Sequence, residues 1–325
     1  MMKHTLTLLA ALLCCTLQSR AIDNNTVEVV YSGTTATVTV ADNIASYVTV
    51  SSGTAADVVV KQTNTDLVDN DEITYVLSGS SDNGSFKLSG SYKCTVSLAG
   101  LTLTNADGPA LNILNGKRVK VSAKKDTENT ISGYGTSTYN GAIYCKGHIE
   151  LQGNGVLNVS SDGYHAIKAK EYCQVKNLTL NITAAAKDGI NCQEYFWMRS
   201  GTVTMTNIGS DGIDVSMDGT TAVAATDAEH EDENTGNFYQ DGGTLTIALA
   251  ASNTTGSHIQ ATGTVTHSAG TFNGETFDSA VRGIEVDGNT PAAIYDLSGR
   301  RRQAGDMQRG LYIIKGNRTT KTIVK

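Results

Sequence analysis

The sequence predicts an all-β protein built around a right-handed parallel β-helix, a solenoid of short strands. Two observations predict it: one tetrapeptide pattern recurs at a regular spacing, and each copy alternates small or polar residues with apolar ones. Only 39% of the 325 residues are apolar and 6% are aromatic. Such a thin supply of core residues suits an elongated molecule better than a spherical one.

The repeat lies between residues 110 and 215. Its copies are Ala110–Ile113, Ala142–Cys145, Ala166–Ala169, Gly189–Cys192 and Gly212–Val215, and the last four are almost evenly spaced. A steady period that is much longer than a heptad is typical of a solenoid, and the alternation predicts strands with one buried face. Two more short strands, separated by Gly, Asn and Asp turns, fit within a period, so each period should form one coil of three strands.

Alignment of the copies separates inward from outward positions. One inward column is apolar and holds Leu111, Ile143, Ile167, Ile190 and Ile213. Three cysteines also fall at inward positions, namely Cys145, Cys173 and Cys192. We therefore expect these thiols to pack as small apolar groups rather than to form disulfides or bind metal.

The chain divides into four predicted segments. Residues 1–21 have the charge, apolar run and small residues of a secretory signal peptide, with a lipid anchor at Cys14 or Cys15 as the alternative. Residues 22–89 should cap the β-helix of residues 90–280, and residues 284–325 form a separate small β unit. No segment after the signal peptide is long and apolar enough to span a membrane.

The charge pattern excludes one class of partner. A net charge of −7 argues against nucleic acid, which requires a basic surface. Residues 226–236 form an acidic insert that interrupts the repeat, and a solvated loop without a role is the simplest explanation of it.

Several motifs between residues 70 and 275 resemble those of a family of secreted bacterial carbohydrate-binding proteins. These motifs are Tyr75–Gly79, Val96–Asn105, Asn129–Gly133, Lys187–Ile190 and Gly209–Ile213. The resemblance implies a calcium-containing parallel β-helix, similar in shape to pectate lyases, that binds polygalacturonic acid and cellulose without known catalysis.

The C-terminal unit resembles the sorting domain of the bacterial type IX secretion system. The similar motifs are Ala293–Arg300, Gly310–Gly316 and Thr322–Lys325. This resemblance implies a small β-sandwich and places the protein outside a Gram-negative cell, secreted or attached to the outer cell surface. A β-structured appendage with no sorting role is the alternative.

Aspartates precede the inward isoleucines in successive coils and indicate a cation site. Asp188 and Asp211 are one coil apart, which brings their carboxylates within about 5 Å and makes them repel unless a cation binds between them. We expect calcium there, with Asp188, Asp211 and Asp214 as ligands. Asp-Gly pairs are also ordinary turn sequences, and that explanation stays open.

Two outward columns are candidates for carbohydrate contact. Tyr144, Lys168 and Asn191 belong to one, and Trp197 and Tyr239 to the other. Polar ladders suit hydroxyl groups, and exposed aromatic faces stack on sugar rings. Alternatively, Trp197 is covered by the acidic insert or by a loop.

These features together predict an extracellular, non-catalytic protein that binds an acidic plant-type polysaccharide such as polygalacturonate with the help of calcium. Two alternatives stay open. A polysaccharide lyase would need a basic catalyst, for which Lys168, Lys187 and Arg199 are available. A structural surface adhesin would use the solenoid only as a spacer.

Overall fold

The computed structural model describes residues 22–52, 56–277, 293–296, 300–303, 310–315 and 319–324. The expected signal peptide and the alternative lipid anchor lie outside the described residues. Within the described residues the one helical segment is the 3-10 turn Asp42–Ile44, and no helix is long and apolar enough to cross a membrane. The all-β prediction is confirmed.

Short strands succeed one another along the chain. Up to residue 105 they are β1 (Thr26–Ser32), β2 (Thr35–Val40), β3 (Val48–Ser52), β4 (Asp57–Gln62), β5 (Ile73–Ser81), β6 (Ser85–Ser89) and β7 (Cys94–Asn105). The repeat region contains β8 (Leu111–Ile113), β9 (Val119–Ala123), β10 (Glu128–Gly133), β11 (Gly141–Cys145), β12 (Ile149–Gly153), β13 (Val156–Ser161), β14 (His165–Ala169), β15 (Cys173–Lys176), β16 (Leu178–Ala185), β17 (Ile190–Gln193), β18 (Tyr195–Met198), β19 (Gly201–Ile208) and β20 (Ile213–Ser216). After the insert come β21 (Asn237–Gln240), β22 (Thr244–Leu249), β23 (Ile259–Ala261), β24 (Val265–His267), β25 (Gly270–Phe272) and β26 (Glu275–Phe277).

Most of these strands pair in parallel with the equivalent strand one coil away. The first face stacks β9, β12, β15, β18, β21 and β24, the second stacks β10, β13, β16, β19, β22 and β25, and the third stacks β4, β6, β8, β11, β14, β17, β20 and β23. The result is a nearly closed, mainly parallel sheet.

The long strands β5 and β7 each bend at a glycine, so that one strand contributes to two neighbouring faces of the coil. The pairing register shifts between Leu77 and Gly79, and Gly79 has a φ of +80°. A Cβ at Gly79 would lie 2.1 Å from the main-chain oxygen of Tyr31, so no other residue fits without displacing β1. Later coils replace this bend with a separate turn between two strands.

The predicted columns are confirmed by the strand register. Ile143 pairs with Leu111 and Ile167, and Ile190 pairs with Ile167 and Ile213; all five side chains are fully buried. The cysteines at the described positions are free and buried, as expected for residues that fill the core.

Antiparallel hairpins occur at both ends of the parallel stack. Strands β1 and β2 form one hairpin and β3 and β4 another, while β25 and β26 form a third. Strands β4 and β6 already pair in parallel, so regular stacking begins before residue 90. Nearer the C terminus, β27 (Ala293–Asp296), β28 (Arg301–Arg302), β29 (Gly310–Lys315) and β30 (Thr319–Val324) form a small antiparallel sheet.

Candidate functional site

The outward column of the first face is in the predicted register, but its tryptophan is covered. Trp197 pairs with Gln174 on one side and Tyr239 on the other, yet only 4% of its surface is exposed. Its indole Nε1 donates a hydrogen bond to Asp241 Oδ2 at 2.7 Å, and the Arg199 guanidinium lies 4.3 Å from the ring centre. Of the two explanations left open for Trp197, the structure therefore supports coverage.

The acidic insert provides that cover through His230, whose ring lies 4.8 Å from the Trp197 ring. Glu233, 1% exposed, anchors the insert. Its carboxylate accepts hydrogen bonds from Asn237 Nδ2 and from the Tyr239 hydroxyl, both at 2.9 Å, and also contacts His230 Nδ1. Tyr239 is thus half-buried and engaged in holding the insert.

The outward column of the third face also lies in the predicted register but is mostly buried. Tyr144, Lys168 and Asn191 are 7%, 8% and 9% exposed. Lys168 Nζ donates a hydrogen bond to Asn191 Oδ1, and burial lowers the pKa of the lysine. The ring of Tyr139 lies 5.1 Å from Tyr144, edge to face. Lys168 and Asn191 thus satisfy each other and Tyr144 is covered by Tyr139, so the column does not present a flat polar surface to solvent.

Asp188 is a buried acceptor for its neighbours. Its Oδ1 accepts from the main-chain N–H of Asp211 at 3.0 Å, and its Oδ2 lies 3.1 Å from His165 Nδ1 and accepts from Asn191 Nδ2 at 2.8 Å. Burial alone would raise the pKa of Asp188, but these contacts outweigh burial and lower it to about 2. Both oxygens of this predicted calcium ligand already have donors.

Asp211 and Asp214 accept fewer hydrogen bonds than Asp188 from the described residues. Asp211 Oδ1 accepts from the N–H of Ser257 at 2.7 Å, while Asp214 Oδ2 accepts from Asn191 Nδ2 at 2.7 Å and its Oδ1 accepts no hydrogen bond in the part of the chain that the structure describes. Burial raises the pKa of Asp214, and the charges of Asp188 and Asp211 raise it further. Among the described residues, Asp188, Asp211 and Asp214 do not bring ligand atoms close enough together to form a tight metal-binding group, so the calcium site stays a prediction.

An open groove of about 530 Å³ borders the third face. Its lining is Leu114, Tyr139, Tyr144, Lys146, Lys170, Glu171 and Asp218. Lys146 and Lys170 are exposed and lie in adjacent coils, because each follows directly after the paired residues Cys145 and Ala169. Neither ammonium group forms an ion pair with any described residue.

Sequence reasoning missed most of this groove. Tyr139 lies in the turn between β10 and β11, where no strand pattern reports its position. The two lysines were detectable, since they occupy the same place after two copies of the repeat. Only Tyr144 was among the predicted sugar contacts.

The described residues thus form stacked β-coils bordered by a groove that combines two tyrosines with two lysines and two carboxylates. The chain belongs to the family described as carbohydrate-binding domain-containing protein, whose model matches residues 63–304. No curated protein matches the chain. It is similar to the solved structure of a polysaccharide lyase-like protein from C. thermocellum, a gadolinium derivative, with 17% identity, coverage of 74% of this chain and 96% of that chain, and a TM-score of 0.57. At that identity the likeness concerns the fold alone.

Proposed function

We propose that this protein is an extracellular, non-catalytic, calcium-dependent binder of acidic polysaccharide such as polygalacturonate. The groove beside Tyr139 and Tyr144 is the proposed sugar site, and the observation that carries it is the unpaired lysine pair Lys146 and Lys170. The family assignment supports carbohydrate as the ligand class.

The lysine pair favours an anionic ligand on electrostatic grounds. Equivalent backbone positions of adjacent coils are about 4.8 Å apart, and two ammonium groups held at that separation in water would repel by ~1 kcal/mol. A sugar carboxylate seated between them removes that repulsion. Because the whole chain carries a net charge of −7, a local positive site is needed to hold a polyanion.

The aromatic pair supplies the second element of recognition. Tyr139 and Tyr144 meet edge to face, so part of one ring faces the groove beside the lysines. Tyr144 is only 7% exposed, so the half-buried ring of Tyr139 is the one that offers an apolar surface to the C–H face of a sugar. Uronate units combine an apolar ring face with a carboxylate, which matches both features.

Calcium on Asp211 and Asp214 would offset the negative charge next to Asn191 and Lys168. Burial first, and then the charges of Asp188 and Asp211, raise the pKa of Asp214, and a cation bound there would favour the ionised form of that carboxyl. Bound calcium would supply positive charge and fix the turns that carry these residues. Chelation should therefore weaken polyuronate binding.

The proposal also includes the type of β-helix and the location of the protein. The successive coils are inferred to form a right-handed parallel β-helix, supported by the parallel register and by the nearly constant sequence spacing of β11, β14, β17 and β20. Export through the signal peptide at 1–21 and outer-surface attachment through 284–325 on a Gram-negative cell are inferred from the sequence resemblances.

The test compares polygalacturonate binding by the wild type, a Lys146→Gln/Lys170→Gln double variant and a Lys124→Gln/Lys125→Gln control of equal charge change. Lys124 and Lys125 are exposed and lie outside the groove. The groove variant should bind at least about tenfold more weakly, a difference of ~1.4 kcal/mol, and the control should be unchanged. Equal binding by all three would refute the groove assignment.

The same samples distinguish the two rivals. A lyase would release an unsaturated uronate with ultraviolet absorbance during long incubation of the wild type, and none is expected. An adhesin that uses the coils as a spacer would bind no soluble glycan, with or without calcium.

A further inference from the structure

Three metal-ligating side chains converge on the turns that precede β12, β15 and β18. They are His148, Glu171 and Glu194, and their ligand atoms all lie within 4.8 Å of one another. The three residues are evenly spaced along the sequence, at the period of the coils. The predicted calcium ligands Asp188, Asp211 and Asp214 form no comparably tight group in the described part of the chain.

The coil register explains the convergence. Tyr172 and Tyr195 occupy equivalent positions, so Glu171 and Glu194, one residue earlier, stack in adjacent coils. His148 is equivalent to Tyr172, because Ile149 pairs with Cys173, and its side chain reaches the neighbouring glutamates. Its Nε2 lies 2.8 Å from Glu171 Oε2 and 3.5 Å from Glu194 Oε2.

Stacking holds the imidazole in this orientation. The His148 ring lies 4.2 Å from the Tyr172 ring at an interplanar angle of 14°, and Tyr172 in turn stacks on Tyr195 at 4.8 Å and 18°. The two tyrosines are almost fully buried. A ligand ring that is fixed before binding loses little side-chain entropy when an ion arrives.

One carboxylate oxygen at this point lacks a suitable donor. Glu171 Oε2 is enclosed, and among the described residues its close polar neighbour is His148 Nε2 at 2.8 Å, which can donate to it only when that nitrogen carries a proton. An enclosed anionic oxygen without a donor is costly, and a cation between the three groups would remove that cost.

We propose that His148, Glu171 and Glu194 bind a divalent transition-metal ion, of which Zn²⁺ is the best match. Zinc binds imidazole nitrogen and carboxylate oxygen at about 2.0–2.2 Å, which places tetrahedral ligand atoms roughly 3–3.5 Å apart. The observed separations of 2.8 and 3.5 Å from Nε2 approach that geometry. Calcium prefers six to eight oxygen ligands, so the imidazole selects against it.

A proton can occupy the same place when no metal ion is bound. Burial alone would lower the pKa of His148, but the two glutamates outweigh it and raise the pKa to about 9. A bridging imidazolium is therefore the competing explanation of this cluster. Zinc binding distinguishes the two, because an imidazolium cannot ligate a metal.

The experiment titrates zinc chloride into the chelator-stripped, tag-free full chain in a calorimeter and repeats the titration with cobalt chloride, whose visible absorption reports its ligands. Wild type should bind about one ion per chain. His148→Ala, Glu171→Gln and Glu194→Gln should each weaken binding by more than about tenfold, and His258→Ala, an exposed histidine elsewhere, should not.

Absence of zinc binding by the wild type, or equal binding by the two isosteric glutamine variants, would overturn the proposal in favour of the imidazolium bridge. The glutamine variants keep the shape of the side chains, and a melting curve verifies that they fold. No polysaccharide is present in this test, so its outcome is independent of the proposed glycan groove.

Discussion

Outward-pointing side chains of this protein are not the same set as its solvent-exposed ones. Lys168 and Asn191 point away from the core, yet each is less than 10% exposed because they hydrogen-bond along the column. The exposed cations are Lys146 and Lys170, one position beyond the strand ends. At the scale of single residues, the chemistry available to a ligand is therefore set by the turns.

Asp188→Asn should reduce acid sensitivity. The pKa of Asp188 is lowered from 3.8 to about 2, so its ionised form contributes stability that is present above pH 3.8 and lost as the pH falls through 2. The variant should be less stable than wild type by ~2 kcal/mol near neutral pH, with the difference vanishing near pH 2. Melting temperatures measured from pH 2 to 7 in chelator check this, and parallel curves would contradict it.

At the scale of elements, the insert between β20 and β21 decides what the first face presents. It interrupts the coil repeat, folds back through His230 and packs against Trp197. Glu233 is its anchor, since a nearly fully buried carboxylate with several donors is costly to displace. The acidic composition that suggested a solvated loop describes the exposed side of the insert, where Glu229 and Glu231 lie.

Glu233→Ala should release the insert from Trp197. Loss of the acceptor removes the hydrogen bonds that Asn237 and Tyr239 donate to Glu233, which should cost about 1–3 kcal/mol. The chain has one tryptophan, so its fluorescence reports this site alone. In Glu233→Ala we expect the tryptophan emission to shift to longer wavelength and to be quenched more strongly by acrylamide. The control Glu231→Gln changes an exposed carboxylate of the same insert and should behave as wild type. An unchanged emission spectrum in Glu233→Ala would argue against Glu233 as the anchor.

At the scale of the whole molecule, stability accumulates coil by coil. Each coil buries its inward residues against the coils on either side, so a central coil has two neighbours and a terminal one has fewer. Ile190 is fully buried in the middle of the third face, while Ile259 occupies the same column in β23, at its edge, and is only partly buried.

The same substitution should therefore cost different amounts at these two positions. Ile190→Ala should destabilise the protein by about 2–5 kcal/mol, because it leaves a cavity that adjacent coils cannot fill. Ile259→Ala should cost less than half as much. Urea denaturation of both variants provides the measurement, and equal losses would contradict coil-by-coil stabilisation.

The sequence by itself determined the coil repeat and the registration of its columns. Parallel stacking repeats at a nearly constant period, and alternation assigns each side chain to one side of its strand. Local sequence was therefore sufficient to align the inward column from Leu111 to Ile213 and the outward column that contains Trp197. Both columns have the predicted register.

Only the tertiary structure decided which of those side chains are accessible and which converge. Trp197 is covered because the insert places His230 against it, and Tyr144 is covered because the turn between β10 and β11 places Tyr139 against it. The approach of His148 to Glu171 arises because the coil step from Ile149 to Cys173 is one residue longer than the next step, which offsets their positions by one residue. Turns and inserts vary in length and lack the apolar alternation of the strands, so packing in three dimensions decides which of their side chains meet, even where the coil period places them in adjacent coils.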